Sequence, residues 1–295
     1  MQRRWLTMLS IAVLSALVLA ACGSAEETPP GGSGDETHAP EHNFTLALDG
    51  HLTVGSDIPY PPFEFEDDDG NLTGFDVDLV REIASRLGLE NADEDWISTN
   101  FDTIFQQLQS GARFDIIVAA VTAYAPDGSP AAETVAERKK RVDFTAPYYP
   151  SLQSLAIDTT QNADIQTVDD LPEGARVAVQ RGTTGAFYAE KELTGAELVQ
   201  FAQAPQMYQA LQAGQVVAVF NDLPVSIESI KGKDNLEVVQ QVDTGEEYAI
   251  GVSKENVELK DAIDEALQEM FDDGTFAEIF LKYFPEQDLP EYASE

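Results

Sequence analysis

Two hydrophobic rhythms alternate along the chain. Residues 115–118 form a short apolar run that reads as a buried strand, and Ala119, Ala120, Val121 and Thr122 follow with small side chains and one hydroxyl. Upstream, residues 44–49 and 52–56 alternate well enough to predict two strands around Gly50. The three prolines of Asp57-Ile58-Pro59-Tyr60-Pro61-Pro62-Phe63 exclude regular structure and predict a stiff loop carrying one carboxylate and two aromatic rings. Phe63, Phe65 and the Asp69-Gly70 pair predict a short hairpin returning to Gly74. From Phe75 the period lengthens: Val77, Leu79, Val80, Ile83, Ala84 and Leu87 make one helical face that stops at Gly88. Trp96 and Ile97 read as a strand. Phe101, Ile104, Phe105 and Leu108 read as a helix capped at Thr99 or Asn100 and ended at Gly111. Strand, helix, strand, helix, strand is the order of a parallel-sheet domain.

Residues 125–136 (APDGSPAAETVA) are small, acidic and turn-rich, and read as an inserted solvent loop. A second α/β unit follows, at about 150–240. Its strands are predicted at 152–157, 176–179, 198–201 and 216–220, with a short helix or turn at 168–171 and helices at 184–193, 205–213 and around Ile227 to Ile230. Residues 238–242 lead back, 248–252 read as a strand of the first unit, and amphipathic helices at 257–271 and 275–283 close the chain. The resulting division is 44–146 for a first lobe, 147–241 for a second, 242–284 for the return to the first, and 285–295 for an exposed acidic tail.

The N-terminus stands outside this pattern. Arg3 and Arg4 precede an apolar run from Trp5 to Leu17, too short and wrongly flanked to span a membrane, so residues 1–21 read as a secretory leader. Leu19-Ala20-Ala21-Cys22 resembles a bacterial lipobox, which implies cleavage after Ala21 and lipid attachment at Cys22. Cys22 is the only cysteine, so nothing remains for a disulfide or a thiolate metal site. Residues 22–43, rich in Gly, Pro and Ser, read as a flexible tether, and His38 and His42 as part of that spacer rather than a metal site. The formal net charge is −36, and losing the leader makes the body more acidic still. No basic footprint for nucleic acid exists. So acidic a surface fits an exported protein in salty surroundings, where screening limits self-repulsion.

Against this background the cluster Glu137-Arg138-Lys139-Lys140-Arg141 stands out. A guanidinium can grip a carboxylate with two parallel bonds, although a basic run also serves as a solvated face. Thr183 and Thr184 sit where a strand turns into a helix, a place that either caps the helix or receives an anion on free amides. Asp222 ends a strand just before Pro224 and reads as a helix N-cap or as a ligand for a cation. In open α/β sheets, ligands bind beyond the carboxyl ends of the strands, and the small residues that end the 115–118 run leave room there.

Taken in order, Gly-Ser-Asp-x-x-Tyr-x-Pro-Phe at 55–63, Gly-Phe-Asp-Val-Asp-Leu at 74–79, Phe101-Asp102, Leu-Gln-Ser-Gly at 108–111, Glu-Arg-Lys-Lys-Arg-Val-Asp-Phe-Thr at 137–145, Gly-Thr-Thr-Gly at 182–185 and Asn221-Asp222 carry a resemblance. Residues 50–284 resemble the amino-acid-binding proteins of ABC importers. That resemblance implies an α/β, type II periplasmic binding protein fold: a two-lobed Venus-flytrap with two hinge strands, here near 145–150 and 240–247. It implies that Arg138 and the amide of Thr184 hold the α-carboxylate, that Asp222 holds the ammonium, and that Thr122 bonds the ligand through its hydroxyl. Ala119 and Ala120 replace residues that are often serine or glycine, and the Ala120 carbonyl remains available for the ammonium. Asp57, Tyr60 and Phe101 are placed to meet the ligand side chain, Gln180 to tune specificity, and Phe63 to serve the core.

A carboxylate with two aromatic rings favours arginine, lysine or ornithine as ligand, with glutamine or another polar amino acid as the alternative. The partners so implied are a free L-amino acid and a membrane permease, for a monomer without cofactor or metal. A prephenate or arogenate dehydratase resembles the same scaffold; Asp57 would be its acid, and no catalytic pair accompanies it.

Overall fold

The computed structural model describes residues 42–111 and 113–294. Strand β1 (Val54–Ser56) leads through a hairpin, β2 (Phe65–Glu66) and β3 (Leu72–Thr73), into helix α1 (Phe75–Arg86). Next come β4 (Trp96–Ser98), α2 (Phe101–Gln109), β5 (Ile116–Ile117), β6 (Thr122–Tyr124), α3 (Pro130–Arg141), β7 (Val142–Phe144) and the long β8 (Tyr149–Asp158). A second run holds β9 (Arg176–Gln180), α4 (Thr184–Glu192), β10 (Glu197–Phe201), α5 (Ala204–Gln212), β11 (Ala218–Asp222) and α6 (Leu223–Ile230). The chain returns along β12 (Leu236–Tyr248) to β13 (Gly251–Ser253), and ends with α7 (Val257–Asp273) and α8 (Thr275–Tyr283).

Two mixed sheets result, ordered β4-β1-β5-β13-β7 and β10-β9-β11-β8-β12-β6. In each, parallel strands followed by helices point their carboxyl ends the same way, as right-handed βαβ crossovers require. The long strands β8 and β12 pair antiparallel from Tyr149–Tyr248 to Asp158–Leu236 and carry the chain out to the second sheet and back. Tyr149 and Tyr248 stack at 5.4 Å where these strands meet the first lobe. Around them Phe63, Phe75, Phe280 and Phe284 are buried, with Phe75 and Phe284 ring centroids 5.2 Å apart. Each such ring contributes on the order of 2–3 kcal/mol through burial.

Several elements differ from the sequence reading. Residues 44–49 form no strand. A tight turn pairs Leu48 with His51, and side chains pin the segment: Asp115 accepts from the Ala47 amide at 2.6 Å, and Asn256 bonds both backbone groups of Thr45. The central run is not one strand. The chain kinks at Ala120, whose φ is +47° and whose N–H donates to Asp76 at 3.0 Å, so Thr122 emerges in the second sheet, beside β12, rather than on a first-lobe floor. Residues 130–136 of the expected solvent loop (125–136) belong instead to helix α3, because Ser129-Pro130 starts it and Ala131, Thr134, Val135 and Arg138 form a buried face at helical spacing. Tyr248 closes β12 instead of opening a first-lobe strand. The tail is not wholly exposed: the Tyr292 ring packs against Phe271 with centroids 5.4 Å apart, and Ala293 is buried.

Gly74 is the tightest joint in this arrangement. Its φ is +135°, and a Cβ there would lie 2.0 Å from the Phe63 carbonyl oxygen, so only glycine lets the hairpin close onto α1. Gly74→Ala is expected to cost about 3 kcal/mol or more and to lower Tm by roughly 6–12 °C. Thermal unfolding of the variant checks this, and an unchanged Tm would refute the account.

Candidate functional site in the cleft between the sheets

Every sequence-predicted ligand residue lines one cleft: Asp57, Tyr60, Phe101, Ala120, Thr122, Arg138, Gln180, Thr184 and Asp222. Strand ends explain the convergence. Asp57 follows β1, Phe101 opens α2, Gln180 ends β9, Thr184 opens α4, and Asp222 ends β11. Cys22 and His38 lie outside the described residues, and His42 stacks on Phe44 at 4.5 Å. Phe63 is core, with no exposure. Asn221 sits behind the cleft, bonded to Tyr60 at 3.2 Å and to Tyr208. Lys139, Lys140 and Arg141 are exposed, and Arg181 points outward toward Asp102 at 3.6 Å.

Arg138 is 4 % exposed because α3 turns it inward, so the inserted segment carries it into the cleft rather than away from it. Its Nη1 donates to the Thr122 carbonyl at 2.7 Å and Nη2 to the Gly182 carbonyl at 3.2 Å. The guanidinium lies against the rings of Phe101 and Phe105, 5.2 and 5.1 Å from their centroids. Burial lowers its pKa to about 10, against the opposing pull of Glu246 and Asp222, so the group is cationic at neutral pH. Two N–H groups are spent on carbonyls, leaving three of the five for a ligand carboxylate. Beside it, Thr183 caps α4 by accepting from the Ala186 amide at 3.1 Å, and the amides that open the helix are anion donors.

Acidic side chains make up the rest of the charge. Asp222 accepts from the Tyr60 hydroxyl at 2.6 Å and from Gln153 Nε2 at 2.6 Å, and burial raises its pKa to about 6. Asp57 accepts from Gln180 Nε2 at 2.5 Å, and burial raises it to about 6 as well. Asp76, fully buried behind the Ala120 kink, is raised to about 7 by burial, although the Ala120 amide and Tyr148 hydroxyl bond it. The sequence reading missed Glu64, which lines the cleft with no exposure; neither of its oxygens has a hydrogen-bond partner among the described residues. Burial, then the charges of Asp76 and Asp57, push its pKa well above the carboxylate range. Its one signal was a glutamate directly after the proline-stiffened loop. Gln153 and Glu246 were also missed, because each lies on a strand whose inward face only the sheet pairing reveals.

The model of the bacterial extracellular solute-binding proteins, family 3, matches residues 52–286. The chain belongs to that family. The L-cystine-binding protein TcyJ of Escherichia coli (strain K12) is 31% identical over 236 residues, 80% of this chain and 83% of TcyJ. Among solved structures, an ancestral arginine-binding protein bound to arginine superposes with a TM-score of 0.71 at 35% identity, covering 80% of this chain and 98% of that one. The ancestral protein bound to glutamine gives 0.72 at 35% identity, covering 81% and 100%. Membership in family 3 carries the type II binding-protein fold, and the two sheets joined by β8 and β12 are its two lobes. No helix among the described residues is long and apolar enough to cross a membrane.

The raised carboxyl groups have a consequence for stability. A carboxyl whose folded pKa is raised holds a proton that the unfolded chain has already lost, so the native state is favoured at low pH and loses that advantage as pH rises. For Asp57, Asp76 and Asp222 the window runs from about pH 4 to pH 7. Tm without ligand is expected to fall across this window. Asp76→Asn, whose amide oxygen can still accept from Ala120 and Tyr148, is expected to flatten the fall. A variant with the same slope as the parent would assign the effect to surface repulsion instead.

Proposed function

We propose that the protein is the extracytoplasmic binding component of an ABC importer and takes a basic L-amino acid, with arginine, lysine or ornithine favoured, between its lobes. The charge balance of the cleft carries this reading. Asp57, Glu64 and Asp222 line it, Asp76 and Glu246 stand directly behind, and Arg138 is the one guanidinium among the lining residues. Burial holds Glu64 toward its protonated form, so Asp57 and Asp222 against the single cation Arg138 favour a ligand with two positive charges and one negative charge, since buried unpaired charge is costly.

In this reading Arg138 and the opening amides of α4 take the α-carboxylate, Asp222 takes the α-ammonium, and Asp57 takes the side-chain cation. Tyr60 and Phe101 supply the aromatic walls. Because these groups belong to different lobes, the ligand favours closure by a shift of population, and the closed form is what a permease would recognise. Lipid attachment at Cys22 would hold the body at the membrane. Glutamine is the second reading: its carboxamide could pair with Asp57 and Gln180, and the similar ancestral protein is described with either arginine or glutamine bound. Family membership supports transport over dehydration of prephenate.

Calorimetry against basic, polar and acidic amino acids tests the proposal. Basic ligands should bind tightest and acidic ones weakest, and absence of binding by all of them would overturn it. Arg138→Ala should weaken the best ligand roughly 100-fold, as expected for breaking a buried charge-assisted pair. Asp57→Asn should erase the preference for a basic ligand over glutamine while leaving glutamine bound within about threefold.

A further inference from the structure

Glu246 is 1 % exposed although it lies in a Thr-Gly-Glu-Glu stretch of a very acidic chain. A bulge in β12 aims it inward. The pairing with β8 jumps from Asp243–Leu152 to Glu246–Ser151, and the extra residues are Thr244 and Gly245. Gly245 has φ +63°, and Pro126 of the inserted segment packs against it, so that a Cβ there would lie 2.7 Å from the proline ring. The result is a carboxylate from a hinge strand, delivered to the base of the cleft.

There, one oxygen of Glu246 accepts from two hydroxyls, Thr122 Oγ1 at 2.7 Å and Thr184 Oγ1 at 2.6 Å. An ionised carboxylate can only accept, and each threonine has a single hydroxyl proton. Both protons are therefore directed at Glu246. The two threonine oxygens, 3.3 Å apart and both on the cleft lining, turn their lone pairs toward the ligand. The second Glu246 oxygen is buried and has no partner among the described residues, and the carboxylate acts on both Arg138 and Asp222 through space.

We propose that Glu246 is a positioning residue for ligand recognition: by taking both hydroxyl protons it makes Thr122 and Thr184 acceptors and builds, with Asp222, a subsite that demands the α-ammonium group. This deepens the amino-acid-binding reading and rests on it. The threonine side chains then serve the ammonium, and the carboxylate is left to Arg138 and the helix amides. In Glu246→Ala both hydroxyl protons lose their acceptor, and each threonine can turn into a donor toward the cleft, whereas the amide oxygen of Glu246→Gln can still accept from both.

The test compares L-arginine with guanidinovalerate, which is arginine without its α-amino group, by calorimetry and competition on the mature chain. Glutamine and glutaramate form the same pair if glutamine is the ligand bound. Glu246→Ala is expected to weaken the amino acid about tenfold or more while changing the deaminated analogue less than threefold. Glu246→Gln, whose amide oxygen can still accept from both hydroxyls, should keep the ratio within about threefold of the parent, and Glu246→Leu repeats the loss if the alanine variant does not fold. In the alanine or leucine variant, a loss shared equally by both probes, or an unchanged ratio, would show that Glu246 is merely structural and overturn the inference. Binding of neither amino acid by the parent protein would instead defeat the functional proposal on which it rests.

Discussion

One buried guanidinium surrounded by carboxylates sets the terms for this molecule. Arg138 is the one fully buried cation among the described residues, whereas Asp57, Glu64, Asp76 and Glu246 are buried near it and Asp222 largely so. Removing these groups from water is costly, and a single positive charge cannot offset so many negative ones. The structure relieves part of the cost with donors: Gln180 for Asp57, Tyr60 and Gln153 for Asp222, two threonines for Glu246. It relieves another part by raising pKa values, so that Glu64 keeps its proton and Asp57, Asp76 and Asp222 titrate near neutrality. Under the proposed function, a cationic ligand and a proton are alternative ways of satisfying the same sites.

The same interactions tie the lobes together. Asp57 to Gln180, Tyr60 to Asp222 and Arg138 to Gly182 each cross the cleft. All are polar contacts of 3.2 Å or less, while β8 and β12 are the long strands that join the two sheets. In the proposed mechanism, binding energy and closure are linked through this one set of atoms, as a population shift needs. The aromatic cluster of Phe63, Phe75, Tyr149, Tyr248 and Phe284 sits where the crossing strands enter the first lobe and gives them a firm base.

The inserted segment illustrates how local composition misleads. Its alanines, acids and Gly128 look like solvated loop, but the helical spacing of Ala131, Thr134, Val135 and Arg138 carries a buried face that favours α3. Far from displacing the arginine, the helix presents it, and Pro126 at its foot braces the bulge that aims Glu246. Insertion, arginine and hinge carboxylate are one assembly.

By itself the amino-acid sequence determined the alternation of strands and helices, the proline-stiffened loop, and the residue types at strand ends. These depend on hydrophobic period and backbone restriction, which are local. Asp57, Thr122, Arg138, Thr184 and Asp222 were legible because their motifs stand at element boundaries. What only tertiary structure decided is which polar groups share a desolvated space. Glu64, Asp76, Gln153 and Glu246 look like surface acids and amides in so acidic a chain. The kink at Ala120 and the bulge at Gly245 turn backbone by amounts no side-chain period records. Burial, pKa and hydroxyl direction follow from those turns, because each depends on neighbours far away in sequence.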